Sequence, residues 1–126
     1  MINHKGECHC GKIRFMFKAP SITSLTICNC SICNALGFQH IFIPHKNFTL
    51  LSGENFLKIY RFGSGKAEHM FCTECGVKAF YQPRSHPNKY SINFRCVKKG
   101  TLKIENTIEF DGKNWEKNIS SLKSKV

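Results

Sequence analysis

The sequence predicts a mostly β fold, a single small zinc-binding domain of many short antiparallel strands. Three observations lead there. Apolar and polar residues alternate with a period of two in several segments, glycine and proline turn signals separate those segments, and eight cysteines fall mainly into tight groups. At 126 residues the chain is expected to form one domain over residues 1–126, long enough for a core and small enough to profit from metal staples.

Taken in order, Ile13, Phe15 and Phe17 alternate with Lys12, Arg14, Met16 and Lys18, the pattern of a half-buried strand that leaves directly from Cys8-His9-Cys10-Gly11. Pro20 and Ser21 interrupt it. Leu25, Thr26 and Ile27 lead into Cys28-Asn29-Cys30-Ser31-Ile32-Cys33, which is expected to occupy a turn between strands. Phe38 to Pro44 and Phe48 to Leu51 read as strands, followed by a turn at Ser52-Gly53. Phe56 to Phe62 is apolar on both alternating faces and reads as a central strand. Ala67 to Cys72 and Val77 to Gln82 flank Cys72-Thr73-Glu74-Cys75-Gly76 as strand, knuckle, strand. Two prolines make Pro83 to Asn88 a loop, and Tyr90 to Cys96 returns to strand, with Ser91, Asn93 and Arg95 opposite Ile92 and Phe94. Thr101 to Phe110 alternates weakly before Asp111-Gly112 turns the chain, and a helix is expected around Trp115 to Lys125.

Composition narrows the classes. No apolar run is long enough to cross a bilayer, and the opening Met-Ile-Asn-His-Lys-Gly-Glu-Cys has no apolar signal segment, so a cytoplasmic setting is expected. In a reducing compartment cysteines read first as metal ligands or reactive thiols. The formal charge of +11 attracts anions without naming one. The lysines of the last third, from Lys98 to Lys125, form no continuous basic block and read as a solvated face.

The cysteines group as Cys8-x-Cys10, Cys28-x-Cys30-x-x-Cys33, Cys72-x-x-Cys75 and a lone Cys96. Cys72 to Gly76 has the form of a zinc knuckle and supplies two ligands. Cys8 and Cys10, on one face of an extended segment, complete an all-thiolate site of structural type. That leaves Cys28, Cys30 and Cys33 for a second ion. Three ligands would leave a position for water or substrate; Cys96, His40 or His69 would close the site if one joined it. Two further readings of the triplet are simple burial and a Cys30-x-x-Cys33 redox pair, the latter disfavoured by the β-rich context. Among the other histidines, His4 and His45 have polar neighbours and are expected to face solvent, His9 points away from its flanking cysteines, and His86 lies in the proline loop.

Glu7-Cys8-His9-Cys10-Gly11, the Cys28 to Cys33 cluster, Gly37, His69-Met70-Phe71-Cys72-Thr73-Glu74-Cys75-Gly76 and Ile92-Asn93-Phe94-Arg95-Cys96 together resemble the glutathione-dependent formaldehyde-activating enzyme family, which also includes centromere protein V. The resemblance spans about residues 5 to 97 and leaves the lysine-rich stretch of about 98 to 126 as an extension. It implies a mostly β fold with two Zn2+ per chain, Cys8, Cys10, Cys72 and Cys75 holding the structural ion and Cys28, Cys30 and Cys33 the catalytic one. The implied reaction joins glutathione to formaldehyde as S-hydroxymethylglutathione, formally a carbon-sulfur lyase in reverse. Arg84, Arg95 and Lys78 are then candidate partners for the carboxylates of glutathione. The alternative is a non-catalytic basic module, stapled by zinc and binding an acidic partner such as nucleic acid or protein.

Overall fold

Ten strands, two α-helices and four single-turn 3-10 helices make up the regular structure in the computed structural model, which describes residues 1–125. The alternation of Ile13, Phe15 and Phe17 produces β2 (Arg14–Ala19), which pairs antiparallel with β1 (Ile2–Glu7) on one side and later with β5 (Phe48–Ser52) on the other. After β3 (Ile22–Cys28) comes a six-residue helix α1 (Ser31–Leu36), then β4 (Gln39–Pro44). Gly37 closes α1 at φ 62°, a left-handed conformation in which its amide reaches Asn34 and that of Phe38 reaches Cys33. β6 (Leu57–Tyr60) and β7 (His69–Cys72) form a two-stranded ribbon, and β8 (Phe80–Tyr81), β9 (Lys89–Asn93), β10 (Lys103–Phe110) and helix α2 (Trp115–Lys125) complete the chain.

The largest sheet runs β10-β3-β4-β9-β8. Its two faces do different things. Leu25, Ile41, Ile43, Phe80 and Ile92 point to one side and pack with Phe15 and Phe17 into the main core. Phe15 is fully buried and its ring meets those of Phe17, Phe48 and Phe80 at centroid separations of 6.2, 5.6 and 5.6 Å. Burial of such a side chain contributes about 1.5–3 kcal/mol, with a further increment from the ring pairs. The opposite face carries Thr26 and Cys28 of β3, His40 and Phe42 of β4, Ser91 of β9 and Tyr81 of β8, as the register Thr26↔His40, Phe42↔Ser91 and Tyr81↔Ser91 requires. A small apolar cluster of Cys28, Cys33, Phe110 and Leu122, with Trp115 and Ile119 beside it, covers part of this second face.

Four expectations are corrected. The pairing of β10 with β3 is parallel, from Lys103↔Ile22 to Phe110↔Cys28, because the long connection from β9 returns the chain to the same end of the sheet. Residues 56–62 are not central. β6 pairs with β7 alone, and Ile59, Tyr60 and Phe62 stay exposed because they rim the groove and cavity described below. His4 is buried rather than solvent-facing: its Nε2–H donates to the carbonyls of Ala19 and Pro20, so Nδ1 accepts from the Thr101 hydroxyl at 2.8 Å. Lastly, Cys30 and Cys33 lie at a strand-to-helix junction, the context whose apparent lack had disfavoured a redox pair. His45 and His9 are exposed, as expected.

Candidate functional site

The knuckle forms because Cys72 N–H donates to the Val77 carbonyl and Gly76 N–H to the Cys72 carbonyl at 2.8 Å, which curls residues 72–77 so that both thiols face one point. A matching turn follows β1, where Cys8 N–H donates to the Ile13 carbonyl and Ile13 N–H donates to Cys8 Sγ. The four sulfurs of Cys8, Cys10, Cys72 and Cys75 all lie within 4.8 Å of one another, with Cys8–Cys10 at 3.6 Å and Cys10–Cys72 at 3.7 Å. A tetrahedron with zinc–sulfur bonds of about 2.3 Å has edges of about 3.8 Å, so the two shortest separations match such an ion and the four thiols are a donor set that fits it. Cys96 is half-buried near Cys8 and Cys75, and burial raises its thiol to about 11.

Cys28, Cys30 and Cys33 also bring their sulfurs within 4.8 Å of one another. Cys28 ends β3, Cys30 caps the N-terminus of α1 and Cys33 sits one turn in, buried. The crowding shows in their acidities. Hydrogen bonds from Cys28 and Cys33 hold the Cys30 thiol down to about 2, while hydrogen bonds with Cys28 and Cys30 push Cys33 far above the ordinary thiol value. Three thiols this close cannot all ionise beside one another, and a divalent cation is the partner that lets them do so. Among the described residues, no histidine, carboxylate or further cysteine joins this group. His40, His69 and Cys96, the residues that would have closed it, stand outside.

A cavity of about 230 Å3 opens at the cluster. Thr26, His40 and Tyr81 line its floor, Ile32 and Phe42 its flanks, and Phe110, Trp115 and Leu122 the side contributed by the end of the chain. Asn29 fastens that end to the cysteine loop: its Nδ2 donates to Asp111 Oδ1, its Oδ1 accepts from Lys113 N–H, and its own amide donates to the Phe110 carbonyl. Apart from His40, these walls were not anticipated as site residues. Thr26 was legible, being two residues before Cys28 and therefore on its face of the strand. Phe110, Gly112 and Trp115 were not, because parallel pairing across some eighty residues leaves no local signal.

A second groove lies behind α1 and meets the cavity at Ile32 and His69. Lys78 stands at this junction, buried, with Nζ donating to His69 Nδ1 at 2.7 Å and lying over the rings of Tyr81 (3.7 Å) and Phe38 (5.1 Å). Burial lowers it to about 8, while the charges of Cys33 and Cys30 pull the other way. Of the three cations considered as carboxylate partners, only Arg84 lines the cavity; it stacks on Trp115 at 3.8 Å and pairs with Glu116 at 2.7 Å. Arg95 is exposed elsewhere.

The family model described as glutathione-dependent formaldehyde-activating enzyme matches residues 3–118. The chain belongs to that family. The match includes β10 and the start of α2, so the segment that walls the cavity falls within it. Among solved structures, a Rhodobacter sphaeroides protein determined as a structural-genomics target superposes with a TM-score of 0.71 at 27% identity, over 79% of this chain and 98% of that one. The mostly β fold is therefore that of a solved relative. No helix among the described residues is long and apolar enough to cross a membrane.

Proposed function

We propose that this family member is a zinc-dependent carbon-sulfur lyase-type enzyme acting on a thiol–aldehyde adduct, with S-hydroxymethylglutathione as the representative substrate. The observation that carries the reading is the three-sulfur cluster, which forms part of a cavity wall and recruits no fourth ligand from the described residues. In this reading Cys8, Cys10, Cys72 and Cys75 hold a structural ion, and Cys28, Cys30 and Cys33 hold the reactive one. A zinc ion there would supply a free coordination position and a lowered pKa for an incoming thiol.

The protein's own contribution is placement. In the forming direction the thiol sulfur bonds to the aldehyde carbon, the carbonyl π pair moves to oxygen, and that oxygen takes up the proton the thiol gave up; the reverse breaks the same carbon-sulfur bond. Apolar walls from Phe42, Phe110 and Trp115 limit competing water, and confinement replaces a bimolecular encounter. Three thiolates around one divalent ion leave a net charge of about −1, and buried Lys78 offsets it. A reducing cytoplasmic setting, in which thiols stay available as ligands, belongs to the same reading.

The test is spectroscopic and kinetic. Cobalt-substituted protein is expected to change its visible absorption when glutathione is added, and exchange between free formaldehyde and the adduct, followed by NMR, is expected to quicken. An unchanged spectrum together with unaltered exchange would rule the reading out.

A further inference from the structure

We propose that Thr26 Oγ1 and His40 Nε2 form a subsite for the substrate's oxygen atom, the hydroxyl of the adduct in one direction and the aldehyde carbonyl in the other. The inference rests on the lyase reading and adds to it the two groups that recognise oxygen.

Thr26 and His40 are 2% and 3% exposed, and both line the cavity that contains the three sulfurs. They face each other directly across β3 and β4, and Thr26 shares its face of β3 with Cys28 two residues on, a separation of about 7 Å along a strand. With His86 Nε2, they are the buried side-chain polar atoms that find no hydrogen-bond partner among the described residues. His86 does not line the cavity. A buried donor or acceptor without a partner costs stability, and two of them side by side next to a candidate reactive centre call for a ligand that satisfies both.

The ring of His40 is not free to turn toward other partners. Nδ1 meets Ser91 Oγ at 2.8 Å, with the Tyr81 hydroxyl at 3.5 Å, and the ring lies 4.5 Å from that of Phe38 between centroids. That leaves the opposite nitrogen, on a residue that lines the cavity, as the ring atom without a partner among the described residues. Burial, with Lys78 adding to it, keeps the imidazole neutral at physiological pH. It therefore offers an oriented hydrogen bond, while the Thr26 hydroxyl can donate or accept. An adduct carbon bears one sulfur and one oxygen; sulfur held at the cysteines and oxygen held by this pair would fix the carbon between them.

The test uses the metal-loaded protein and two small stable thiols, 2-mercaptoethanol and 1-propanethiol, which differ by a hydroxyl in place of a methyl. Titration calorimetry is expected to show that the wild type prefers the hydroxyl compound by roughly tenfold, although the cavity walls are apolar. Thr26→Val and His40→Phe should each erase most of that preference. The melting temperature of Thr26→Val without thiol should hold or rise, since a methyl replaces an unpaired hydroxyl; a purely structural threonine would lower it. Equal binding of both thiols to the wild type, or a preference that survives both substitutions, overturns the subsite and leaves the lyase reading standing. If neither thiol binds the wild type, the lyase reading fails and the subsite with it.

Discussion

The backbone of Gly112 lies against Cys28 Sγ so closely that a β-carbon there would collide with the sulfur and come within 3.0 Å of Cys30 Cβ. A residue 84 positions away thus sets the room available to the second cysteine cluster. On the proposed two-ion reading, Gly112→Ala is expected to displace Cys28 and lower metal content by about one ion per chain, with the Cys8, Cys10, Cys72 and Cys75 group intact. Elemental analysis of purified protein, wild type against variant, measures this; two tightly held ions in the variant would refute it.

Substitutions at the two clusters should separate stability from reactivity. Cys75→Ser removes a ligand from the group that ties the turn after β1 to the turn after β7, and is expected to cost several kcal/mol and broaden unfolding. Cys30→Ser is expected to unfold cooperatively near the wild-type temperature with one ion fewer and no lyase activity. Thermal melts and metal analysis of the same samples check both.

His40 gives a pH dependence with a defined sign. Its folded value, about 3, lies below the ordinary 6.5, so between those limits the unfolded chain binds more protons than the folded one. Stability associated with the neutral ring is complete above about pH 6.5 and is lost as pH falls toward 3. His40→Phe should reduce proton uptake on unfolding in that window by up to one, read from the slope of unfolding free energy against pH.

Phe15→Ala should destabilise by about 3–5 kcal/mol, because the ring is fully buried against three others and its removal leaves a cavity among them. Urea unfolding gives the number directly, and a cost below about 1 kcal/mol would contradict this packing.

Sequence periodicity was informative wherever one face met the core and the other met water. Ile13, Phe15 and Phe17 announce β2 for that reason, and the cysteine spacings announce both clusters because two-residue gaps curl the backbone in a predictable way. Residues 56–62 misled because a segment lining a groove is as apolar on its outer face as a central strand is. Helix α1 left too short a pattern to register a 3.6 period. His4 gave no sign of burial, since its partner Thr101 is 97 residues away.

The parallel pairing of β10 with β3 also fixes an order of events during synthesis. Residue 75 completes the first cysteine group well before β10 follows in the chain, so that staple can set early. Cys28, Cys30 and Cys33 are present by then too, but Phe110, Gly112 and Trp115, which wall their cavity, follow only some eighty residues after that cluster. A nascent chain would therefore carry three open thiols exposed to the surrounding metal pool before it has any pocket to restrict what reaches them.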